Sequence, residues 1–525
     1  MLDIEGFRRA GYAAIDAICD YYTTLDDLPV QAQVEPGFLK KQLPDSAPEE
    51  GEEWSTIDRD FHQIIMPGMT HWQSGMFAAY FPANATFEGS LADLYTSSIS
   101  NPGFNWSCSP SVTELELITV DWWAKLLGLS PEFQSHTLDS KGGGIIHGSA
   151  SEVCITIAIA ARERVLAELA KTNPPPPPST GVNGCADTSG IGNDSAEELS
   201  VSRWRGELTS RLVLYATTQT HSIASKAATV LGLSFRALEV RAEDAYALRA
   251  ETLKAALEED EKVGRVPFLL VLTVGTTSSG AVDNITEVVE VARDHPNLWL
   301  HIDAAYAGVA LALPELRESS HLAAINAQAD SFSTNAHKWG LTQFDCSPLH
   351  VKDRGALTRA LSITPEYLRT KHGDAGNVLD LRNMQLSLGR RFRSLKLWFV
   401  LRSFGVKGFQ AHLRQSIACG ELFEKTMRND DHPFEIVAPP RWALVVFRLN
   451  PSGASGQSVE LDDLNRRFMD CLNARSAELT LTQTVLPEIG FCIRFVMGSP
   501  RVREHHVLKA FKIVKECAEE TLQAQ

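Results

Sequence analysis

Between about residues 140 and 340, short apolar runs alternate with helix-like stretches, and this alternation restricts the chain more than any other feature. LVLYA at 212–216, FLLVLTV at 268–274 and LWLHI at 298–302 each end in small or polar residues. Helix-like segments lie between them, at 245–260 and 285–294. Runs this apolar have no solvent face, so they belong in a sheet covered on both sides, and the intervening helices make the connections parallel. The expected fold class is α/β with a mostly parallel central sheet. Ligands of such sheets bind outside the carboxyl ends of the strands, so the residues that follow each run are where chemistry is sought.

Those residues are distinctive. Gly142 to Gly144 lead into HGSASE at 147–152 and then a long helix-like run. Ser149, Ala150 and Ser151 at a helix start offer N–H groups, two hydroxyls and a helix dipole to an anion. The same serines also suit capping. Gly142-x-Gly144 is no dinucleotide fingerprint, because His147 stands where the third glycine should fall, which counts against a nicotinamide enzyme. TTQTH at 217–221 brings His221 to a strand end, where it can stack on a planar ring or move protons. Gly275-Thr276-Thr277 brings a hydroxyl. Asp303 follows LWLHI, and a carboxylate there either caps the next helix or keeps a pyridinium nitrogen protonated. In NAHKW at 335–339, Lys338 lies between an imidazole and an indole, a setting that suits a Schiff-base lysine.

Composition narrows the partners. The formal net charge of −16 makes nucleic acid and anionic membrane poor partners, and an anionic ligand must be held by local donors. No run reaches the ~20 apolar residues of a membrane span, and the N-terminus has neither the basic start nor the apolar run of a signal peptide. Nine cysteines without a C-x-x-C pair imply reduced thiols, a cytoplasmic location and no metal site. At 525 residues two or three domains are expected. Residues 1–86 read as a helical segment, with Asp3 as N-cap and Ile4, Phe7, Ala14, Ile18 and Tyr22 on one stripe. Residues 87–395 read as the large α/β domain and 396–525 as a smaller α+β domain with strand-like ALVVFRL (443–449) and FCIRFV (491–496). The proline-rich stretch 172–200 is too polar to order itself and reads as a disordered surface insertion.

Taken together, the motifs resemble those of the pyridoxal-phosphate decarboxylases of the aromatic-L-amino-acid group. The resemblance runs through VEPGFL (34–39), IIMPGMTHW (64–72), YFPA (80–83), GFNW (103–106), TELE (113–116), HGSASE, HIDAAYAG (301–308), NAHKW, FDCS (344–347) and LGRRFRSLK (388–396). It implies an aspartate-aminotransferase-type fold and a homodimer with the N-terminal segment swapped onto the partner. It implies pyridoxal 5′-phosphate on Lys338, Asp303 at the ring nitrogen, His221 stacked over the ring, and Thr276 and Ala305 touching it. Ser149, Ala150, Ser151, Asn335 and His337 would lie in or near a phosphate cradle. Trp72, Tyr80, Phe81 and Pro82 would form the substrate pocket, joined by Phe104 from the other subunit. Tyr367, in the loop TPEYLRTKHGDAG (364–376), would return a proton to Cα and so give the amine. Phe at that position goes with an aldehyde product instead. Gly389 makes room for an indole, so the resemblance points to tryptophan or 5-hydroxytryptophan ahead of tyrosine, dopa or phenylalanine. An aldehyde synthase and a non-catalytic homologue are the other readings.

Overall fold

The computed structural model describes residues 2–175, 196–453 and 455–524. Among them the apolar runs become the inner strands of a seven-stranded sheet: β1 (Gly143–His147), β2 (Leu212–Thr217), β3 (Ser234–Leu238), β4 (Val266–Thr273), β5 (Trp299–Asp303), β6 (Ser331–Ser333) and β7 (Ser347–Val351). Their spatial order is β1-β7-β6-β5-β4-β2-β3. The run from β3 to β6 is parallel, and β7 is antiparallel to both its neighbours. β2 and β5 are buried at every residue, as covered strands must be, whereas edge strand β3 alternates between half-buried and exposed. That alternation and the shortness of β6 hide both from a reading based on apolar runs.

The helix Ala150–Thr172 buries Val153, Ile157, Ala160, Ala161 and Val165. This three-and-four spacing places one stripe in the core formed with β2, β4 and β5. Its N-cap is Ser149, whose Oγ accepts from the Glu152 N–H at 3.2 Å.

The chain divides into two compact units, residues Thr86–Gln410 and a unit made of Met1–Ala85 with Ala411–Gln525. This differs from the three consecutive segments expected. Residues 1–85 are not a separate helical piece, because Val30 N–H donates to the Ala477 carbonyl (2.8 Å), Ala78 to Thr480 (3.0 Å) and Val496 to Ala78 (3.0 Å). Met76, Phe77, Ala78 and Ala79 share a core with Phe423, Phe447, Phe468 and Phe495. That core backs a four-stranded antiparallel sheet of β8 (Phe434–Ile436), β9 (Leu444–Leu449), β10 (Thr482–Leu486) and β11 (Gly490–Val496). The expected boundary at 396 also moves, to 410/411. The helix Arg393–Arg428 breaks at Gly405, and up to that point Leu397 and Val400 are buried with the large unit. Phe409 still packs edge-on against Trp123 (5.9 Å).

The N-terminal helix Ile4–Thr24 forms as expected, with Asp3 accepting from the Gly6 N–H at 2.6 Å, but none of its residues is buried in the single chain. The stretch 172–200 is shorter as an insertion than expected. Thr172 ends one helix and Ala196–Ser210 forms another, since alanine, glutamates and Leu199 favour helix once the prolines end. Residues 176–195 lie outside the described ones.

His301 in β5 tests the packing of this sheet. It is fully buried, with Nδ1 2.8 Å from Ser331 Oγ and Nε2 3.3 Å from Ser333 Oγ. Burial lowers its pKa to about 3. The unfolded chain therefore takes up a proton near pH 6.5 that the folded chain refuses until about 3. Stability from this residue is held above pH 6.5 and is lost as pH falls, by up to ~1.4 kcal/mol per pH unit. His301→Gln should lower the slope of unfolding free energy between pH 6 and 4 by about that amount, measured by urea titration at graded pH. An unchanged slope would contradict a neutral buried imidazole.

Candidate active site

The parallel strands bring their carboxyl ends to one rim. β5 ends in Asp303, which is 3% exposed. Its Oδ1 accepts from the Ala305 N–H at 3.1 Å. Burial raises the Asp303 pKa, and the charges of Lys338 and His221 oppose that shift. β2 ends in the turn carrying His221, which Thr220 ties inward through Thr217 Oγ1 (3.0 Å) and Thr273 Oγ1 (3.4 Å) on β4. Desolvation and then the Lys338 charge lower the His221 pKa, while Asp303 raises it. Asp303, His221 and Lys338 thus lie close enough for their charges to act on one another.

Lys338 stands on the short helix Ala336–Trp339 that follows β6. Asn335, ahead of it, donates its N–H to the Ala305 carbonyl (2.9 Å) and accepts from Ser347 Oγ at Oδ1 (2.7 Å). Trp339 stacks on Tyr306 with centroids 5.1 Å apart. His337 Nδ1 accepts from the Cys346 N–H at 2.9 Å. Burial and the Lys338 charge lower its pKa to about 4, so at neutral pH the ring is uncharged and carries its proton on Nε2. Thr276 is fully buried, with Oγ1 3.0 Å from Ser279 Oγ and accepting from the Ala281 N–H (3.0 Å). Gly275 before it has φ +86°, and a Cβ there would lie 2.4 Å from that of Ala307, so only glycine fits this turn. Ala305 follows at the same rim.

Ser149, Ala150 and Ser151 open the helix Ala150–Thr172 just past β1. Capping occupies Ser149 Oγ as acceptor and leaves its O–H to donate, so both readings of this serine hold together. Behind the turn lies a layer of charge that sequence reasoning missed. Glu152 accepts from the Gly148 N–H (2.9 Å) and lies 3.4 Å from His147 Nδ1. The bond from His147 holds the Glu152 pKa down at about 2. Asp345 pairs with Arg393 (3.0 Å), and a Cβ on Gly148 would come within 3.3 Å of that guanidinium. Glu116, fully buried, pairs with fully buried Arg390 and accepts from the Ile146 N–H in β1 (2.7 Å).

The bonds above do not reach the other expected site residues. Tyr367 is 80% exposed on a single 3-10 turn. A short polar loop has too few apolar groups to bury it. Gly389 is exposed, and a Cβ there would meet nothing within 4 Å. Phe104 is half-buried, two residues past Pro102, whose carbonyl accepts from the Arg390 N–H (2.7 Å). A cavity of about 570 Å³ is lined by Asn101, Pro102, Arg390, Arg393 and Lys396. Trp72, Tyr80, Phe81 and Pro82 belong to the smaller unit, where Trp72 stacks on Tyr80 (5.6 Å) and Arg494 lies over the Phe81 ring (5.0 Å).

A buried carboxylate facing a lysine and a histidine, with an N–H-rich turn nearby, fits a planar cofactor that has a basic ring nitrogen, an aldehyde and an anionic arm. The sheet and its covering helices are those of the pyridoxal-phosphate enzymes of the aspartate-aminotransferase fold type. The chain belongs to the pyridoxal-dependent decarboxylases, whose conserved domain matches residues 36–183 and 196–450. Its cofactor is pyridoxal 5′-phosphate. It is 40% identical to tryptophan decarboxylase 2 of Oryza sativa subsp. japonica, covering 99% of this chain and 96% of that one. It is also 40% identical to phenylacetaldehyde synthase of Arabidopsis thaliana, covering 98% and 96%. The crystal structure of Oryza sativa TDC with PLP and tryptamine superimposes with a TM-score of 0.86 at 36% identity, covering 99% of each chain. Among the described residues no helix is long and apolar enough to cross a membrane, and no cluster of His, Cys, Asp or Glu could hold a metal ion.

Two of the central residues separate by experiment. Lys338→Ala should abolish the borohydride-fixed adduct with pyridoxal phosphate, read by mass spectrometry. Asp303→Asn should keep the adduct and lose kcat by ~10²–10³-fold, the scale of one preorganised electrostatic group. An Asp303→Asn enzyme of near-normal kcat would remove the carboxylate from the chemistry.

Proposed function

We propose that the chain decarboxylates an aromatic L-amino acid to its arylalkylamine and carbon dioxide, with tryptophan or 5-hydroxytryptophan preferred over tyrosine, dopa and phenylalanine. The observation that carries this reading is the buried Asp303 facing Lys338 and His221 at the carboxyl ends of the parallel strands. Bound pyridoxal phosphate supplies an electron sink for the bond to the departing carboxylate. Lys338 holds the cofactor covalently and releases it to the substrate amine. Asp303 keeps the ring nitrogen protonated, which stabilises the charge that develops as carbon dioxide leaves. His221 covers the ring face, with Thr276 and Ala305 fixing its edge. Ser149, Ala150, Ser151, Asn335 and neutral His337 receive the phosphate.

Trp72, Tyr80, Phe81 and Pro82 are assigned to the substrate's ring, with Phe104 contributed by the second subunit of a homodimer. The apolar stripe of the N-terminal helix, with Ile4, Phe7, Ile15 and Ile18 all exposed in the single chain, supports such a partner, onto which this helix, rather than all of residues 1–86, would pack. A cytoplasmic location fits the nine cysteines.

A second reading, oxidative decarboxylation to the aldehyde, draws support from the likeness to a phenylacetaldehyde synthase. Tyr367 favours the amine, because its phenol can hand a proton to the carbon that has lost carbon dioxide. The presence of Lys338, Asp303, His221 and Tyr367 together argues against a non-catalytic homologue.

Purified enzyme turning over tryptophan in air should release amine with little hydrogen peroxide per carbon dioxide, and Tyr367→Phe should raise that ratio toward one. Wild-type enzyme forming peroxide and carbon dioxide in equal amounts would establish the aldehyde reading instead. In competition assays Gly389→Ser should lower the ratio of kcat/KM for tryptophan over tyrosine by ~10-fold or more, the range for a change of pocket volume. An unchanged ratio would leave ring choice to other residues.

A further inference from the structure

Tyr367 sits on the turn Glu366–Leu368, where Leu368 is buried and Tyr367 itself is exposed. Beneath it is a cavity of about 220 Å³, lined by Leu368, Arg369, Gly373, Asp380, Arg382 and Asn383. Incomplete packing leaves the position of such a turn to its directional bonds. Two of these meet at Asp380, and a third joins Arg382 to the loop. The Asp380 carboxylate accepts from the Trp106 N–H at 3.1 Å and lies 3.4 Å from the Arg382 guanidinium. Arg382, itself buried, donates to the Leu368 carbonyl at 3.3 Å, one residue past Tyr367.

Trp106 adds a second attachment. Its ring meets His372 edge-to-face with centroids 5.0 Å apart, and its indole N–H is held by Glu114 at 2.7 Å. Within the loop, Thr370 caps the turn Lys371–Asp374 through the Gly373 N–H (3.1 Å), and Arg369 pairs with Asp374 (3.3 Å). The loop is thus internally braced and pinned to the rest of the unit at two points, Leu368 and His372. Both pins run to the GFNW segment that also carries Phe104.

We infer that Asp380 and Arg382 are positioning residues, a latch that binds the Tyr367 loop to Trp106 and sets where the tyrosine phenol is delivered. This rests on the reading of Tyr367 as proton donor. Loosening the latch leaves cofactor and substrate binding intact and slows proton return to Cα. Dioxygen then takes two electrons from that carbon and its amine. With one water consumed, the products are aldehyde, ammonia, carbon dioxide and hydrogen peroxide, in place of amine and carbon dioxide. Product choice is therefore set by loop anchoring as well as by the residue at position 367.

The test compares holoenzyme of the wild type, Asp380→Ala, Arg382→Lys and Tyr367→Phe. Hydrogen exchange of residues 362–379 is followed without substrate, and peroxide per carbon dioxide is measured in air. Asp380→Ala should speed exchange of the loop amides at least ~10-fold. It should raise the peroxide ratio at least ~5-fold with KM within about 2-fold of wild type, since a change confined to the proton step leaves binding alone. Arg382→Lys, which keeps a cation for Asp380, should restore part of both. If Tyr367→Phe releases peroxide while Asp380→Ala loosens the loop without doing so, the latch proposal falls and the reading of Tyr367 stands. Unchanged exchange in Asp380→Ala also overturns the latch. If Tyr367→Phe still gives only amine, the reading of Tyr367 falls, and the latch loses its role with it. Should Asp380→Ala not accumulate as folded protein, Asp380→Asn keeps the acceptor for Trp106, removes the charge facing Arg382, and is held to the same outcomes at smaller amplitude.

Discussion

A carboxylate at the end of β5, 3% exposed, is costly to keep ionised unless a cation stands beside it. In this chain the charges that reach Asp303 come from Lys338 and His221. These arrive on different strands, Lys338 past β6 and His221 past β2, so the sheet itself sets the distances among all three. A change in the register of β5 against β4 or β6 would separate them. The requirement explains why Thr273, the last residue of β4, is bonded so firmly. Its N–H goes to buried Asp283 at 2.7 Å, and the Val274 N–H goes to the Asp303 carbonyl at 3.0 Å. Burial lifts the Asp283 pKa to about 6, so its two backbone donors, Thr273 and Leu248, are what keep it useful as an acceptor.

A second layer of charge does for β1 what Asp283 does for β4. Glu116 joins the Ile146 N–H to Arg390, and Arg390 in turn holds the Pro102 carbonyl through its own N–H. Breaking one partner of such a buried pair leaves the other uncompensated, at a cost of about 3–5 kcal/mol. The pair therefore fixes the strand leading to Ser149 and the loop leading to Phe104 against the same segment, the one that carries Gly389. Motifs far apart in the chain meet here: TELE, HGSASE and LGRRFRSLK supply one connected set of side chains.

The sequence made the central strands legible because burial on both faces demands uninterrupted apolar runs, and β2, β4 and β5 comply. From their ends Asp303 and His221 followed, while Lys338, which stands past β6, was marked by its own motif NAHKW. The edge strand β3 and the three-residue β6 carry no such signal. Glu116 and Arg390 stayed illegible for another reason: a charged residue is normally solvated, and only the fold shows that these two are buried against each other. The division into units was also hidden. Residues 1–85 join residues 411–525 through backbone hydrogen bonds such as Val30 to Ala477, which depend on pairing across most of the chain and leave no local pattern.

The overall charge of −16 sets a last constraint, because a phosphate dianion must be drawn into a protein whose field repels it. The nearby guanidiniums are already committed, Arg393 to Asp345 and Arg390 to Glu116. What remains around the cradle is dipolar: the N-terminus of the helix Ala150–Thr172, the Ser149 hydroxyl proton and the Nε2–H of a neutral His337. Oriented N–H groups suffice for a phosphate when they are fixed in place. Fixing them is the work of Glu152, whose carboxylate ties the Gly148 N–H and His147 into the turn. The depressed Glu152 pKa means this tie stays ionised well into acid, and it is lost only as pH falls from the unfolded value near 4.5 toward about 2. The turn at Ser149 is thus held by a half-buried carboxylate one layer behind it, whose bond to the Gly148 N–H orients that part of the backbone.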